Sequence, residues 1–141
     1  VQRCVDSGML DSGGGVNHFT AHVVAEYLRR GLLDDHVARL RDGYRARRDH
    51  LMAALRQLPA ECRCDTPGGG YFAWLRVPDD IDTSALLARA EAAGVSYVPG
   101  APFHSDGGGQ HHLRLAFSLL SPVEMEEGAR RLAHVLRASP R

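Results

Sequence analysis

Apolar residues recur every three to four positions in two segments near the start of the chain, and this spacing predicts helices with one buried face. The first helix is predicted to begin at Asn17, whose side chain suits a cap, and to end at Gly31. The second is longer and is predicted to begin at Asp34 or Asp35 and to end before Pro59. Their apolar positions are Phe19, Val23, Val24, Tyr27 and Leu28 in the first helix and Val37, Leu40, Tyr44, Leu51, Leu55 and Leu58 in the second.

Three later segments, at 71–77, 95–98 and 112–118, have the composition or the alternation that is typical of strands. Pro78 ends the first of them and Pro99 ends the second. In the third, alternation predicts a buried face and an open face. The two sets are Leu113, Leu115 and Phe117 on the buried face, and Arg114, Ala116 and Ser118 on the open face.

Two more helices complete the pattern. One is predicted from Asp82 to Ala93, before Gly94. The other begins at 121–124, where serine, proline and glutamate are spaced as a capping box, and runs to about Arg137. This order of elements predicts an α/β domain in which a short sheet is covered by helices on one face and a long helix leads into it.

Composition and charge narrow the function classes. The 141 residues are 44% hydrophobic and 24% charged, which is typical of one soluble globular domain. Because the formal net charge is zero, we expect neither nucleic acid nor a membrane as a partner. The three cysteines are an odd number, and Cys62 and Cys64 are only one residue apart, so we expect no disulfide framework and a cytoplasmic location. All 17 basic residues are arginines, so the sequence has no lysine.

Arginines crowd one face of the long helix. We interpret this run as a solvated face paired with Asp42 and Asp49, with nucleic-acid binding as the alternative. The arginines are Arg39, Arg41, Arg45, Arg47 and Arg48.

Arg114 is the sharpest candidate for a binding residue. Its neighbours on the open face, Ala116 and Ser118, are small and leave room beside the guanidinium, whose planar fork of donors suits a carboxylate. A surface ion pair is the alternative, and the spacing does not decide between them.

The remaining candidates are weaker. Zinc ligands are conceivable at Cys62, Cys64, His111 and His112, but a C-x-C spacing is not the usual one and no second pair recurs. His104, His111 and His112 lie in or beside a glycine-rich loop, and we interpret them as solvent-exposed, with proton transfer as the alternative. The glycine runs lack a phosphate-binding pattern. The run at 68–70 leads into a strand, where backbone can approach a ligand closely.

Four motifs in order carry a family resemblance: DSGGGVNHFT at 11–20, PGGGYFAWL at 67–75, GVSYVPGAPF at 94–103 and LRLAFS at 113–118. Together they resemble class I/II aminotransferases of fold type I, which use pyridoxal 5′-phosphate. The nearest branch contains 2-aminoadipate and kynurenine aminotransferases and the aminotransferase halves of MocR-type regulators.

The resemblance implies that residues 34–141 form the small C-terminal domain of that fold, in which a short, mainly antiparallel sheet has helices packed on one face and a long connecting helix. Residues 1–33 would come from the end of the large domain and an interface helix. It implies a homodimer and places the substrate α-carboxylate on Arg114. It also places Gly70 and Phe72 near the substrate, and Asn17 close to the active site.

Such enzymes hold the cofactor on a lysine, which this sequence lacks, so no catalytic or cofactor-binding residue is expected in it. We therefore expect the C-terminal part of an aminotransferase, inactive alone, whose parent exchanges an amino group between an amino acid and a 2-oxo acid. Two alternatives are the tail of a MocR-type sensor domain and a lyase of the same fold. The sequence does not indicate which amino acid is the substrate.

Overall fold

The computed structural model describes residues 17–138, which contain four α-helices, two 3-10 turns and a small sheet. The chain divides into two compact units, Val1–Arg41 and Asp42–Arg141. The glycine-rich turn predicted at 11–15 lies outside the described residues, and the predicted domain boundary near residue 33 stays a prediction.

Helix α1 spans His18–Arg29 in the first unit. It begins where predicted, because the Asn17 side chain accepts a hydrogen bond from the Thr20 backbone N–H at 3.2 Å. The chain turns after it at Gly31, whose φ of +70° favours glycine. No residue of α1 is buried, and its predicted apolar face is exposed, with Phe19 at 79%.

Helix α2 spans Leu33–Ala54 and is the predicted long helix, with Asp34 and Asp35 in its first turn. Its end was predicted too late, because the regular helix gives way to a 3-10 turn at Leu55–Gln57. Leu55 and Leu58 are buried nonetheless. The tighter turn keeps both leucines against the core while the chain leaves the helix axis.

The arginine face of α2 is only partly a solvated face. Arg45 pairs with Asp42 and Arg48 with Asp49, both at 2.7 Å, as predicted. Arg47, however, donates through Nη1 to the Leu120 carbonyl at 2.6 Å, and Arg48 Nη1 donates to the Pro67 carbonyl at 3.1 Å. These two arginines therefore hold distant loops against the helix.

Four strands form one antiparallel sheet. The strands are β1 (Arg63–Cys64), β2 (Phe72–Arg76), β3 (Val98–Pro99) and β4 (His112–Ala116). Their order across the sheet is β1-β2-β4-β3. The prediction of a short, mainly antiparallel sheet in an α/β fold is confirmed.

The strand boundaries correct the prediction in three places. β1 was not predicted, because two residues carry no periodicity. The strand predicted at 95–98 is reduced to Val98–Pro99, so Pro99 lies within it, as an edge strand allows. The strand predicted at 112–118 ends at Ala116, although Phe117 still donates its backbone N–H to the Tyr71 carbonyl at 3.0 Å.

Helices α3 (Thr83–Ala92) and α4 (Pro122–Arg137) complete the second unit. Asp82 caps α3, and Ser121 with Glu124 forms the predicted capping box of α4. The apolar residues of both helices pack against one face of the sheet and against the end of α2, and together they form a single core. Its fully buried large side chains include Phe117, Leu75, Leu113, Leu132 and Val77.

A glycine contact ties the start of β4 to the loop that precedes it. A Cβ at Gly100 would lie 2.7 Å from both the Cβ and the carbonyl oxygen of His112, and 2.5 Å from the Gly109 carbonyl oxygen. Because two of these neighbours are backbone atoms, Gly100→Ala should cost about 1–3 kcal/mol of unfolding free energy. Urea denaturation of the 141-residue chain measures it.

Gly43→Ala is the matched control, since a Cβ there meets nothing within 4 Å and the position lies inside α2. It should stabilise the chain by about 0.5–1 kcal/mol, because alanine loses less entropy in a helix. Equal urea midpoints for Gly100→Ala and Gly43→Ala would contradict the close packing at Gly100.

Candidate functional site

The sheet has a second face, opposite to the core, which carries the candidate site. Cross-strand pairing places Phe72 beside Ala116, Trp74 beside Arg114, and Val98 on the other side of Arg114. Directly paired residues project to the same face of a sheet. The predicted alternation in β4 is thus confirmed, with Arg114 in the centre of the open face.

Aromatic rings hold the Arg114 guanidinium in place. Its Cζ lies 4.0 Å from the centroid of the Phe72 ring and 4.8 Å from that of Phe103. A ring face attracts a cation through its quadrupole and takes none of the N–H donors. The guanidinium is therefore ordered while its hydrogen bonds remain available to a ligand.

The hydrogen bonding of Arg114 is incomplete. Its Nε is buried and has no hydrogen-bond partner within residues 17–138. Over the same residues, no carboxylate forms an ion pair with Arg114, so the alternative of a surface ion pair is not observed. A buried donor without a partner is costly unless a bound group satisfies it.

An open pocket of about 240 Å³ adjoins this guanidinium. Cavities that bury a whole small molecule usually exceed about 300 Å³. This one is large enough for one end of a ligand. Its lining residues are Phe72, Ser96, Tyr97, Val98, Arg114 and Ala116.

Two histidines continue the open face. His112 stacks on Trp74 with ring centroids 5.7 Å apart, and His104 stacks on His112 at 5.9 Å. The interpretation of these histidines as solvent-exposed was wrong, because both are half-buried in this stack. Burial, followed by electrostatic repulsion from the neighbouring His104 and Arg76, lowers the pKa of His112 and favours its neutral form.

A network of hydrogen bonds fixes the strand that carries Arg114. The His112 carbonyl accepts from the Gly100 N–H and from Thr83 Oγ1, both at 2.7 Å. Thr83 is itself fully buried, and its carbonyl accepts from the Tyr97 hydroxyl at 2.8 Å. Burial raises the pKa of Tyr97 to about 12, so this donor stays protonated.

The other predicted site residues are Phe72, Gly70 and Asn17. Phe72 lies against Arg114, and Gly70 precedes it in the turn before β2 with a φ of +76° that favours glycine. A Cβ at Gly70 would meet nothing within 4 Å. Asn17 is the cap of α1 in the first unit, and its expected place near the active site stays a prediction.

Trp74 and Phe103 were not singled out from the sequence. Trp74 and Phe72 alternate in β2, so the alternation could have placed both rings on one face, although nothing marked Trp74 as a neighbour of Arg114. Phe103 ends a 3-10 turn at Ala101–Phe103, and only the tertiary fold brings its ring to the guanidinium and within 5.4 Å of Trp74.

The conceivable zinc ligands do not converge. Among residues 17–138, no group of three or more His, Cys, Asp or Glu side chains could hold a metal ion. His111 Nδ1 instead contacts the Ile81 carbonyl at 2.9 Å. Cys62 and Cys64 are free and half-buried, and burial raises the pKa of the Cys62 thiol to about 11.

A larger cleft of about 570 Å³ lies between the end of α4 and the loops after α2 and β2. Its arginine, Arg137, already donates to the Gln57 carbonyl at 2.6 Å. By contrast, Arg114 Nε has no hydrogen-bond partner among residues 17–138. No helix in the described part of the chain has the length and apolar character needed to cross a membrane.

Comparison with known proteins decides the family. The model of the aminotransferase class I and II family matches residues 9–132. The chain belongs to this family. Aromatic-amino-acid aminotransferase 1 of Thermococcus litoralis is 34% identical over 122 residues, which are 86% of this chain and 29% of that protein. Our chain therefore spans less than a third of the length of this relative.

Solved structures agree with the resemblance to fold type I enzymes. The α-aminoadipate aminotransferase LysN of Thermus thermophilus, solved with N-(5′-phosphopyridoxyl)-L-leucine, superposes with a TM-score of 0.87 and 32% identity over 96% of this chain and 35% of that one. A relative of another kind is the HTH-type transcriptional regulator TauR of Rhodobacter capsulatus, 32% identical over 81% of this chain and 24% of that protein.

Proposed function

We propose that this aminotransferase chain binds the α-carboxylate of an amino-acid substrate, and of the 2-oxo acid formed from it, through Arg114. The supporting observation is the guanidinium held over Phe72 and Phe103 with a buried, unpartnered Nε beside an open pocket. An arginine with its donors already paired would not support this function.

A carboxylate fits the chemistry of this site. Two parallel N–H···O bonds from the guanidinium match its two oxygens, and such charge-assisted pairs are about twice as strong as neutral ones. Amino acids and 2-oxo acids differ at Cα but share the carboxylate. One arginine can therefore hold the substrate and the product of amino-group transfer in the same place.

Arg114 would act by positioning. Holding the carboxylate fixes the orientation of the bonds at Cα, which is a large part of catalysis when the reacting groups are otherwise free to rotate. Phe72 and Phe103 lie against the guanidinium, and their rings attract its charge and hold it in one orientation. No residue of the described chain is assigned to proton transfer.

The proposed cofactor is pyridoxal 5′-phosphate, in keeping with the phosphopyridoxyl ligand in the LysN structure. The residues of this chain do not fit its attachment, because the sequence has no lysine to form the Schiff base. Attachment would need a lysine from outside these 141 residues. The chain's own contribution is substrate recognition.

Amino-group transfer is the direct test. A purified protein of the relatives' length that contains this chain, supplied with pyridoxal 5′-phosphate and pyruvate, should form alanine from at least one amino acid in a panel of aromatic, acidic and branched-chain donors. Alanine formation measured by chromatography gives the result. The 141-residue chain alone should form none, since it has no lysine.

Failure of the longer protein with every donor, despite bound cofactor, would reject the aminotransferase activity. Alanine formation by the 141-residue chain alone would show that the chain needs no lysine from outside its own residues, and would reject that part of the proposal. Absorbance of the bound cofactor confirms that the longer protein is loaded before the assay.

A second candidate is a sensor that binds an amino acid without turning it over, as part of a transcriptional regulator. The supporting observation is the 32% identity to TauR over 81% of this chain. Amino-acid-dependent binding to DNA without alanine formation would favour this function. The lyase hypothesis, the homodimer and the cytoplasmic location stay predictions.

A further inference from the structure

Three sulfur-containing residues line one small cavity on the helix side of the sheet. Met52 comes from α2, and Cys62 and Cys64 come from the segment that enters and forms β1. The cavity measures about 260 Å³. No part of the site around Arg114 belongs to it.

The local backbone explains why both thiols turn inward. Cys62 and Cys64 are two positions apart in extended chain, so their side chains project to the same side. Both are half-buried and pack against the core, whereas Arg63 between them is exposed. Arg63 turns outward to donate to the backbone carbonyls of Ala60 and Cys62.

The spacing of two of the sulfurs suits a shared metal ion. Cys64 Sγ lies 4.0 Å from Met52 Sδ. Metal–sulfur bonds are about 2.3 Å long, and two ligands at 120° around a metal are then about 4.0 Å apart. The pair therefore already has the separation of two corners of a three-coordinate site.

We propose that Cys62, Cys64 and Met52 form a binding site for a soft monovalent metal ion, copper(I). Thiolates and thioethers are the ligands that copper(I) selects. Each thiol that binds releases its proton, and two thiolates with one copper(I) leave a net charge of −1. Arg56, which lines the same cavity, and Arg63 between the thiols supply positive charge that opposes the negative charges of Glu61 and Asp65.

Zinc fits this site less well. Zinc prefers four nitrogen, oxygen or thiolate ligands in a tetrahedron. The cavity offers two thiols, and its third sulfur is a thioether, which is a poor zinc ligand. The ligand set therefore predicts selectivity for copper(I) over zinc(II).

The metal site is distinct from the proposed substrate site. Leu75 lines the sulfur cavity and is buried in the core, whereas its neighbour Trp74 projects to the face that carries Arg114. Successive strand residues lie on opposite faces of a sheet. A negative result for copper(I) binding would therefore leave the proposed binding of a carboxylate at Arg114 unaffected, and the reverse also holds.

The test is an anaerobic competition for copper(I) between bicinchoninate and the 141-residue chain carrying Cys4→Ser, which removes the third thiol. The chain should take up one copper(I), and its thermal midpoint should rise because only the folded chain brings Met52 to the thiols as a third ligand. Met52→Leu keeps the volume of the side chain and removes the thioether. This substitution should weaken the binding of copper(I) by at least about tenfold. Removing a residue that only supports a metal ligand already costs about that much affinity, and Met52 is proposed as a ligand itself.

Replacing Cys62 and Cys64 together with serine should abolish competition with bicinchoninate, and circular dichroism checks that this variant folds. If the double serine variant does not fold, the copper(I) affinity of Met52→Leu is compared with that of the chain carrying only Cys4→Ser. Equal copper(I) affinity in those two chains would overturn the proposal. Displacement of copper(I) by equimolar zinc(II) would overturn it as well.

Discussion

Arg114→Ala should lower kcat/KM for the amino-acid substrate by about thirtyfold to several thousandfold in a protein of the relatives' length that contains this chain. The range corresponds to about 2–5 kcal/mol, the cost of removing one partner of a buried, hydrogen-bonded charge pair. The reason is that the carboxylate would lose its bidentate donor, and no other cation of the described pocket lining could replace it. Steady-state kinetics with the best donor of the panel measure the loss.

An amine without a carboxylate sharpens this experiment. The decarboxylated analogue of the same donor should react slowly and equally with the unaltered protein and with Arg114→Ala, since the missing contact is the one to the carboxylate. Arg114→Lys keeps the charge and loses the planar fork, so its activity should lie between the two. Equal losses for the amino acid and the amine would show that the substitution acts by disturbing the fold.

Phe117→Ala should cost about 3–5 kcal/mol of unfolding free energy in the 141-residue chain, the range for removing a buried aromatic ring. Only 1% of Phe117 is exposed, and it is the largest fully buried side chain of the described residues. Because small domains are stable by only about 5–15 kcal/mol, this single change should leave the second unit marginally folded. Urea denaturation followed by circular dichroism gives the free energy.

Leu119→Ala is the matched control, two residues further along, where 82% of the side chain is exposed. Its effect should stay within about 0.5 kcal/mol. The loss of unfolding free energy for Phe117→Leu should lie between these two losses, because the leucine side chain fills most of the volume of the phenylalanine ring. A loss for Leu119→Ala as large as that for Phe117→Ala would contradict the assignment of the core.

Helices were the most predictable part of this fold, because their signals are local. Asn17 and the capping box at Ser121 lie within four residues of the groups that they cap, so the sequence alone locates both helix starts. The end of α2 was less predictable. Leu55 and Leu58 continue the apolar spacing of a helix although the backbone has already tightened into a 3-10 turn.

The sheet edges and the binding site depend on contacts between distant residues. Val98–Pro99 is a strand only because β4 lies beside it, and Tyr97, predicted within that strand, instead turns inward to donate to Thr83. Alternation placed Arg114 on the open face but did not show which rings surround it. Phe103 reaches the guanidinium from a turn eleven residues earlier, and no local pattern predicts that meeting.

The order of the strands has a consequence for the behaviour of the protein in solution. The two longest strands are central, and each edge of the sheet is a strand of two residues. Long open edges invite strands from other molecules, which leads to aggregation. Here each edge presents few free backbone groups, and Pro99 has no N–H to offer. The sheet can thus keep one aromatic face open to a small ligand without becoming a template for fibrils.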